Sequence, residues 1–533
     1  MAFVLNLTFF WPSPHLPILI MRYLILLIIS LLPITTQAQT RSAHRNAERV
    51  VPRRDTAVPR ATDHRNAERG PAVPPNIIYI MADDLGYGDL NCYRDRTGGP
   101  AKVGQPIVQT PNLDRMARQG TRFTRFYAGS TVCAPSRCAL MTGKHMGHAY
   151  IRGNGEIPLR STDTTLAERL KANGYTTGMF GKWGLGLDIN SGAPQLQGWD
   201  EFTGYLHHRH AHNYHTDSLW QVRGGQLSPF RLNRSQYTHD VIMDGALSFL
   251  KDRKTDRQPF LLYLPVTLVH AELATTTADL QPYLEADGRS RFVETPFVNA
   301  AGRGYASQPN PRATFAAMLS RLDSDVGKIL DLLRESGMDQ NTYVFFTSDN
   351  GPHKEGGADP DYFDSNGPLR GIKRDLYEGG IRVPMIAWAP GRVPANTVSD
   401  AIWANWDITP TVCELTRTTR PTNIDGNTMA RLLGQPLSAA PRNAGPPADR
   451  YLFWHFNEGE LRQAVLQGNW KLIRLKKAGQ AERLELYDLG NDIGEQANLA
   501  NANPQKVSAL LSLMKQAQQP SEHPLFNWQK NEQ

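Results

Sequence analysis

Cysteine is scarce in this chain, with four in 533 residues: Cys92, Cys133, Cys138 and Cys413. That excludes a disulfide-built scaffold, and no two of the four form a spaced metal-ligand pair. Long apolar runs are also missing. The stretch Leu24–Leu32 falls short of the roughly 20 residues of a comfortable membrane span. Nor is there a dominant charge: 20% of residues are charged, and the net excess is only +7. More than half of that excess sits in residues 41–70, where Arg41, Arg45, Arg49, Arg53, Arg54, Arg60, Arg65 and Arg69 face four acidic residues. A basic stripe on a folded surface is thereby excluded, and with it a nucleic-acid partner.

What is present begins with a leader pattern. Met21-Arg22-Tyr23, the short apolar run and Thr36-Gln37-Ala38 have the basic start, apolar core and small-residue cleavage site of a signal peptide. Residues 1–38 are therefore expected to be removed on export to the periplasm or beyond, with Met21 the alternative start. Residues 39–74 repeat His-Arg-Asn-Ala-Glu-Arg at 44 and 64 among prolines, with little to bury, and read as a disordered tether.

From residue 75 apolar strands and helices alternate. Pro75–Ala82, Thr176–Phe180, Phe260–Pro265 and Thr342–Thr347 read as buried strands. Asn112–Gln119, Thr165–Ala172 and Ala313–Glu335 read as helices. This predicts an α/β fold over 75–420, a large mostly parallel sheet sandwiched by helices. Past residue 420 the texture becomes Pro-rich, then three short strand patterns (463–466, 470–474 and 484–487) precede a helix over 504–518. Residues 421–533 are expected to form a smaller α+β subdomain with an antiparallel sheet.

In such sheets ligands gather beyond the carboxyl ends of strands. Asp83, Lys182, His270 and Asp349 fall there. Asp83-Asp84 and Asp349-Asn350 supply three carboxylates and an amide, a hard oxygen set suited to Ca²⁺ or Mg²⁺; taken singly, each pair also reads as a helix cap or a turn. Cys133 in Cys133-Ala134-Pro135-Ser136-Arg137 can, as a lone thiol, be a nucleophile, a metal ligand or a packed apolar residue.

Read as a whole, Cys133–Gly143 resembles the sulfatase signature, a cysteine followed by x-Pro-Ser-Arg and a small-apolar stretch ending in Thr-Gly. The resemblance continues through Gly181–Gly186, Tyr263–Ala271, Gly367–Lys373, Tyr377–Pro384 and Tyr487–Ala500. It implies a sulfuric ester hydrolase in which Cys133 is converted by a maturation enzyme to formylglycine (3-oxoalanine). One oxygen of the hydrated aldehyde attacks sulfur and the other expels sulfate. The resemblance further implies that Asp83, Asp84, Asp349, Asn350 and the residue at 133 bind the metal. Arg137 steadies the modified residue, Lys182 contacts the sulfate, and His270 and Lys373 serve the leaving group.

One position departs from the family pattern. Gly184 occupies the slot of a histidine that accepts the aldehyde proton, and His212 or His215 of the His-rich stretch 207–215 is the expected replacement. These two, with His353 and Arg374, are the candidate substrate contacts. A sulfated carbohydrate is the expected substrate. A phosphonate or phosphodiester hydrolase of the same superfamily, and a glycan-binding relative without turnover, are the alternatives.

Overall fold

The computed structural model describes residues 73–94, 108–256, 258–300, 304–434 and 449–527. The expected signal peptide, and the tether up to residue 72, lie outside the described residues. An eleven-stranded sheet forms the frame. In chain order its strands are β1 (Asn76–Ala82), β2 (Thr121–Tyr127), β3 (Thr176–Lys182), β4 (Glu201–Tyr205), β5 (Ser218–Arg223), β6 (Gln226–Arg231), β7 (Phe260–Pro265), β8 (Thr342–Ser348), β9 (Arg382–Trp388), β10 (Thr397–Ser399) and β11 (Trp403–Ala404). They lie in the order β10-β2-β9-β8-β1-β7-β3-β4-β5-β6, with β11 also beside β2. The centre, β8-β1-β7-β3-β4, is parallel throughout.

Two-residue periodicity divides the core. Ile77, Tyr79 and Met81 of β1 enter one buried cluster, and Ile78, Ile80 and Ala82 enter the other. Helices cover both faces, as central parallel strands require. Pro111–Gln119, Thr238–Asp252 and Pro311–Glu335 bury residues in the second cluster. Cys133–Thr142, Leu166–Ala172 and Ile408–Leu415 contribute to the first.

A separate antiparallel sheet follows near the C-terminus: β12 (Tyr451–Asn457), β13 (Leu461–Gln467), β14 (Trp470–Lys476) and β15 (Arg483–Asp488). Leu452, Trp454 and Phe456 join the core under the large sheet, whereas Phe453, Val465 and Leu472 pack with Val507, Leu510 and Met514 of the helix Pro504–Ala517. Among the described residues no helix is long and apolar enough to cross a membrane.

Candidate active site

The site is assembled by neighbouring parallel strands that end level with each other. Ala82 of β1 pairs with Ser348 of β8, so Asp83-Asp84 and Asp349-Asn350 leave the sheet side by side. The Asp84 backbone N–H donates to Asp349 Oδ1 (3.1 Å), and Asn350 Nδ2 donates to Asp84 Oδ1 (2.6 Å). Lys182 closes β3 and donates to Asp83 Oδ2 at 2.7 Å. His270 lies five residues past β7, where Tyr214 Oη donates to the carbonyls of Thr267 (2.7 Å) and His270 (2.9 Å) and fixes the turn.

Cys133 is the first residue of its helix, with Sγ 3.6 Å from Asp83 Oδ1. One turn on, the buried Arg137 reaches Asp349 Oδ2 (2.8 Å), Asp83 Oδ2 (3.5 Å) and the Lys182 carbonyl (2.7 Å). Lys373 Nζ stands 2.8 Å from Asp84 Oδ2 and 3.0 Å from His270 Nε2. His270 Nε2 lies 3.2 Å from Asp84 Oδ2 as well, so it faces both an ammonium and a carboxylate.

Burial works against every charge here, and the neighbours decide the outcome. It favours the neutral form of Asp83, but Lys182, His270, Arg137 and Lys373 outweigh it and hold that carboxyl well below its ordinary value. Asp349 is pushed up to about 7 by burial and by Asp83 beside it. Asp83 more than offsets the effect of burial on Lys182, leaving its ammonium above the usual value. Burial pushes the Cys133 thiol up to about 12, so an unmodified Cys133 is a protonated, weak nucleophile.

The donor set suits a divalent cation. Three buried carboxylates crowd together, and the buried Asn350 Oδ1 has no hydrogen-bond partner. Asp83, Asp84, Cys133 and His270 each offer a ligand atom, all within 4.8 Å of one another. With Asp349 and Asn350 adjoining, most of the donors are oxygens, a set that matches Ca²⁺ or Mg²⁺ better than Zn²⁺. A second group, His145, His148 and Asp425, is equally tight but does not fit a metal. His145 Nδ1 accepts from the Gly147 N–H (3.0 Å), so the neutral ring carries its proton on Nε2, the atom a metal would need.

The candidate substrate residues separate. His212 and His353 both stack on His270, with ring centroids 4.8 and 5.1 Å away. His215 is exposed and packs against Tyr237 instead (5.6 Å). Arg374 is tied to Glu355 (2.5 Å) and Glu458 (3.1 Å). Gly184 has φ +75°, and a Cβ there would meet only Arg137 Cδ, at 3.9 Å. Sequence reasoning missed Tyr214, Tyr305 and Glu355, which arrive from separate loops; only the proximity of Glu355 to His353 hinted at one of them.

The sulfatase family model matches residues 75–418, and the model for the N-sulphoglucosamine sulphohydrolase C-terminal region matches 372–522. N-acetylgalactosamine-6-sulfatase of Sus scrofa is 30% identical over 501 residues, 85% of this chain and 87% of that protein. The crystal structure of Ps i-CgsB in complex with k-i-k-neocarrahexaose superposes with TM-score 0.66 at 25% identity, covering 86% of this chain and 97% of that one. The phosphonate monoester hydrolase of Agrobacterium radiobacter shares the fold at TM-score 0.58 and 19% identity, covering 84% and 97%.

Proposed function

Because the chain belongs to the sulfatase family and is a sulfuric ester hydrolase, we propose that it releases sulfate from a terminal sugar of a sulfated glycan. The observation that carries this reading is the position of Cys133. It opens a helix 3.6 Å from Asp83, with Lys182 and Lys373 bound to the two adjoining carboxylates. The names of the glycan-directed relatives support a carbohydrate ester over a simple aryl sulfate.

A formylglycine at position 133 supplies the attacking oxygen, and a maturation enzyme is its required partner. Ca²⁺ or Mg²⁺ held by Asp83, Asp84, Asp349, Asn350 and residue 133 supplies positive charge against the ester. Arg137 locks Asp349 and Asp83 in position, and Lys182 binds sulfate oxygens. Lys373 Nζ holds the proton that meets the leaving sugar oxygen, with Asp84 and His270 beside it positioning that ammonium. His212, neutral because burial brings it down to about 4, accepts the proton for which Gly184 has no side chain. Export after cleavage near Ala38, and the division into 75–420 and 421–533, belong to the same proposal.

Peptide mass spectrometry across residues 126–144 tests it: a loss of about 18 Da at Cys133 is expected, the mark of a thiol turned aldehyde nucleophile. Active protein with an intact thiol overturns the mechanism. Matched sulfate and phosphate esters separate the phosphonate-hydrolase reading, which requires faster turnover of phosphate. Glycan affinity without sulfate release from modified protein would establish the binding-only reading.

A further inference from the structure

The rim of the pocket beside His270 and Lys373 has a chemistry of its own. Glu355 is about a quarter exposed there, with its side chain at 24% of full accessibility. Its Oε2 accepts from Tyr305 Oη (2.6 Å) and lies 3.6 Å from Lys373 Nζ and 3.8 Å from His270 Nε2. Its Oε1 accepts from Arg374. The Tyr305 ring lies 5.0 Å from that of His212, which is itself stacked on His270. Two flat rings and a carboxylate therefore border the groups assigned to the leaving sugar.

Arg374 does not make this rim an anion site. Its guanidinium is shared between two carboxylates, Glu355 and Glu458, and so is already engaged. Its backbone, at φ +77°, is also in a region rare for non-glycine residues, and its N–H is bound to the Thr131 carbonyl at 3.1 Å. Such a conformation persists when its surroundings over-determine it. The Glu355 carboxylate has four lone-pair sites, of which Tyr305 and Arg374 occupy two.

Resting on the sulfatase reading, we infer that Glu355 accepts a hydroxyl of the sugar ring next to the ester. It thereby selects esters with a free neighbouring hydroxyl over those bearing a second sulfate or carboxylate there. A second anion at that position meets the Glu355 carboxylate and finds Arg374 already engaged. The substrate class is a terminal sugar carrying one sulfate and a free vicinal hydroxyl.

The test uses the full chain and two probes: a methyl glycoside monosulfated with a free neighbouring hydroxyl, and its vicinally disulfated analogue. Both kcat/KM and calorimetric Kd are measured for wild type, Glu355→Gln and Glu355→Asp. The wild type is expected to prefer the monosulfate at least tenfold. Glu355→Gln should shrink that ratio about tenfold, chiefly through KM, and Glu355→Asp, which keeps the charge, should retain most of it. An unchanged ratio in a folded Glu355→Gln protein, or wild-type preference for the disulfate, overturns the inference. Sulfate release from neither probe, with the Kd preference intact, would defeat the sulfatase reading and leave the role of Glu355 standing.

Discussion

At position 184 the backbone, not the side chain, explains the glycine. Its φ of +75° is costly for most L residues, and its N–H is bound to the Leu206 carbonyl at 2.9 Å, just before the His-rich stretch. Gly181 is constrained more severely, since a Cβ there would lie 2.1 Å from the Pro265 carbonyl oxygen. In the proposed reaction His212, from the segment that follows Leu206, takes the place of the missing imidazole. His212→Ala is expected to lower kcat about 10²-fold, the low end for loss of a general base, whereas His215→Ala leaves kcat unchanged. Steady-state sulfate release checks both, and equal effects would remove His212 from its proposed role. Asp83-Asp84, Lys182 and Asp349-Asn350 were legible because each ends an apolar strand, and Cys133, Arg137 and Lys373 because the signature stretches around them resemble the family's. Glu355, Tyr305 and Tyr214 were not, because loop residues carry no period.

Among the elements, the small sheet is joined to the large one by a buried ionic group. Lys471 of β14 lies 2.9 Å from both Glu378, which precedes β9, and Glu495, and all three side chains have no exposed surface. Burial works to neutralise Glu378, but Lys471 and Arg382 outweigh it and hold its carboxyl below the ordinary value. Burial pushes Glu495 up to about 7. Lys471→Met leaves Glu495 without its cation and Glu378 with Arg382 alone (3.2 Å), and is expected to cost about 3–5 kcal/mol, the range for breaking one partner of a buried pair. Urea denaturation measures this, and a loss below about 1 kcal/mol, as for an exposed pair, would refute it. Three strands of this sheet were readable from alternation, but β12 was not. β2 also escaped notice, because Arg122 and Arg125 interrupt its apolar pattern; Arg122 is nevertheless buried over the Tyr93 ring. Long cationic side chains can lie along apolar surface, so they blur a strand in the sequence without breaking it in the fold.

For the whole molecule, buried histidines set the response to acid. Burial brings His145 down to about 4 and His455 to about 3. Both folded values lie below the unfolded imidazole value of about 6.5, so below that pH the unfolded chain binds more protons. Stability therefore falls as pH drops from about 6.5 toward the folded values. Urea midpoints should decline between pH 7 and pH 4.5, and His455→Gln should flatten the decline by up to about one proton of linkage. An identical slope in the variant would contradict this origin. Asp425, held low because His148 and His145 outweigh its burial, adds acid sensitivity at still lower pH.

The sequence alone determined the family and the α/β class, because short contiguous motifs such as Cys133–Gly143 are local in the chain, and the alternation of strands and helices survives in one dimension. It also located the pairs Asp83-Asp84 and Asp349-Asn350 at strand ends. Only the tertiary structure decided which histidines face the pocket. Ring direction in residues 207–215 depends on a tight turn, and on Tyr305 and His270 packing against His212 from distant segments. The same holds for Arg374, an apparent anion contact in sequence, whose charge two carboxylates claim only once the chain is folded.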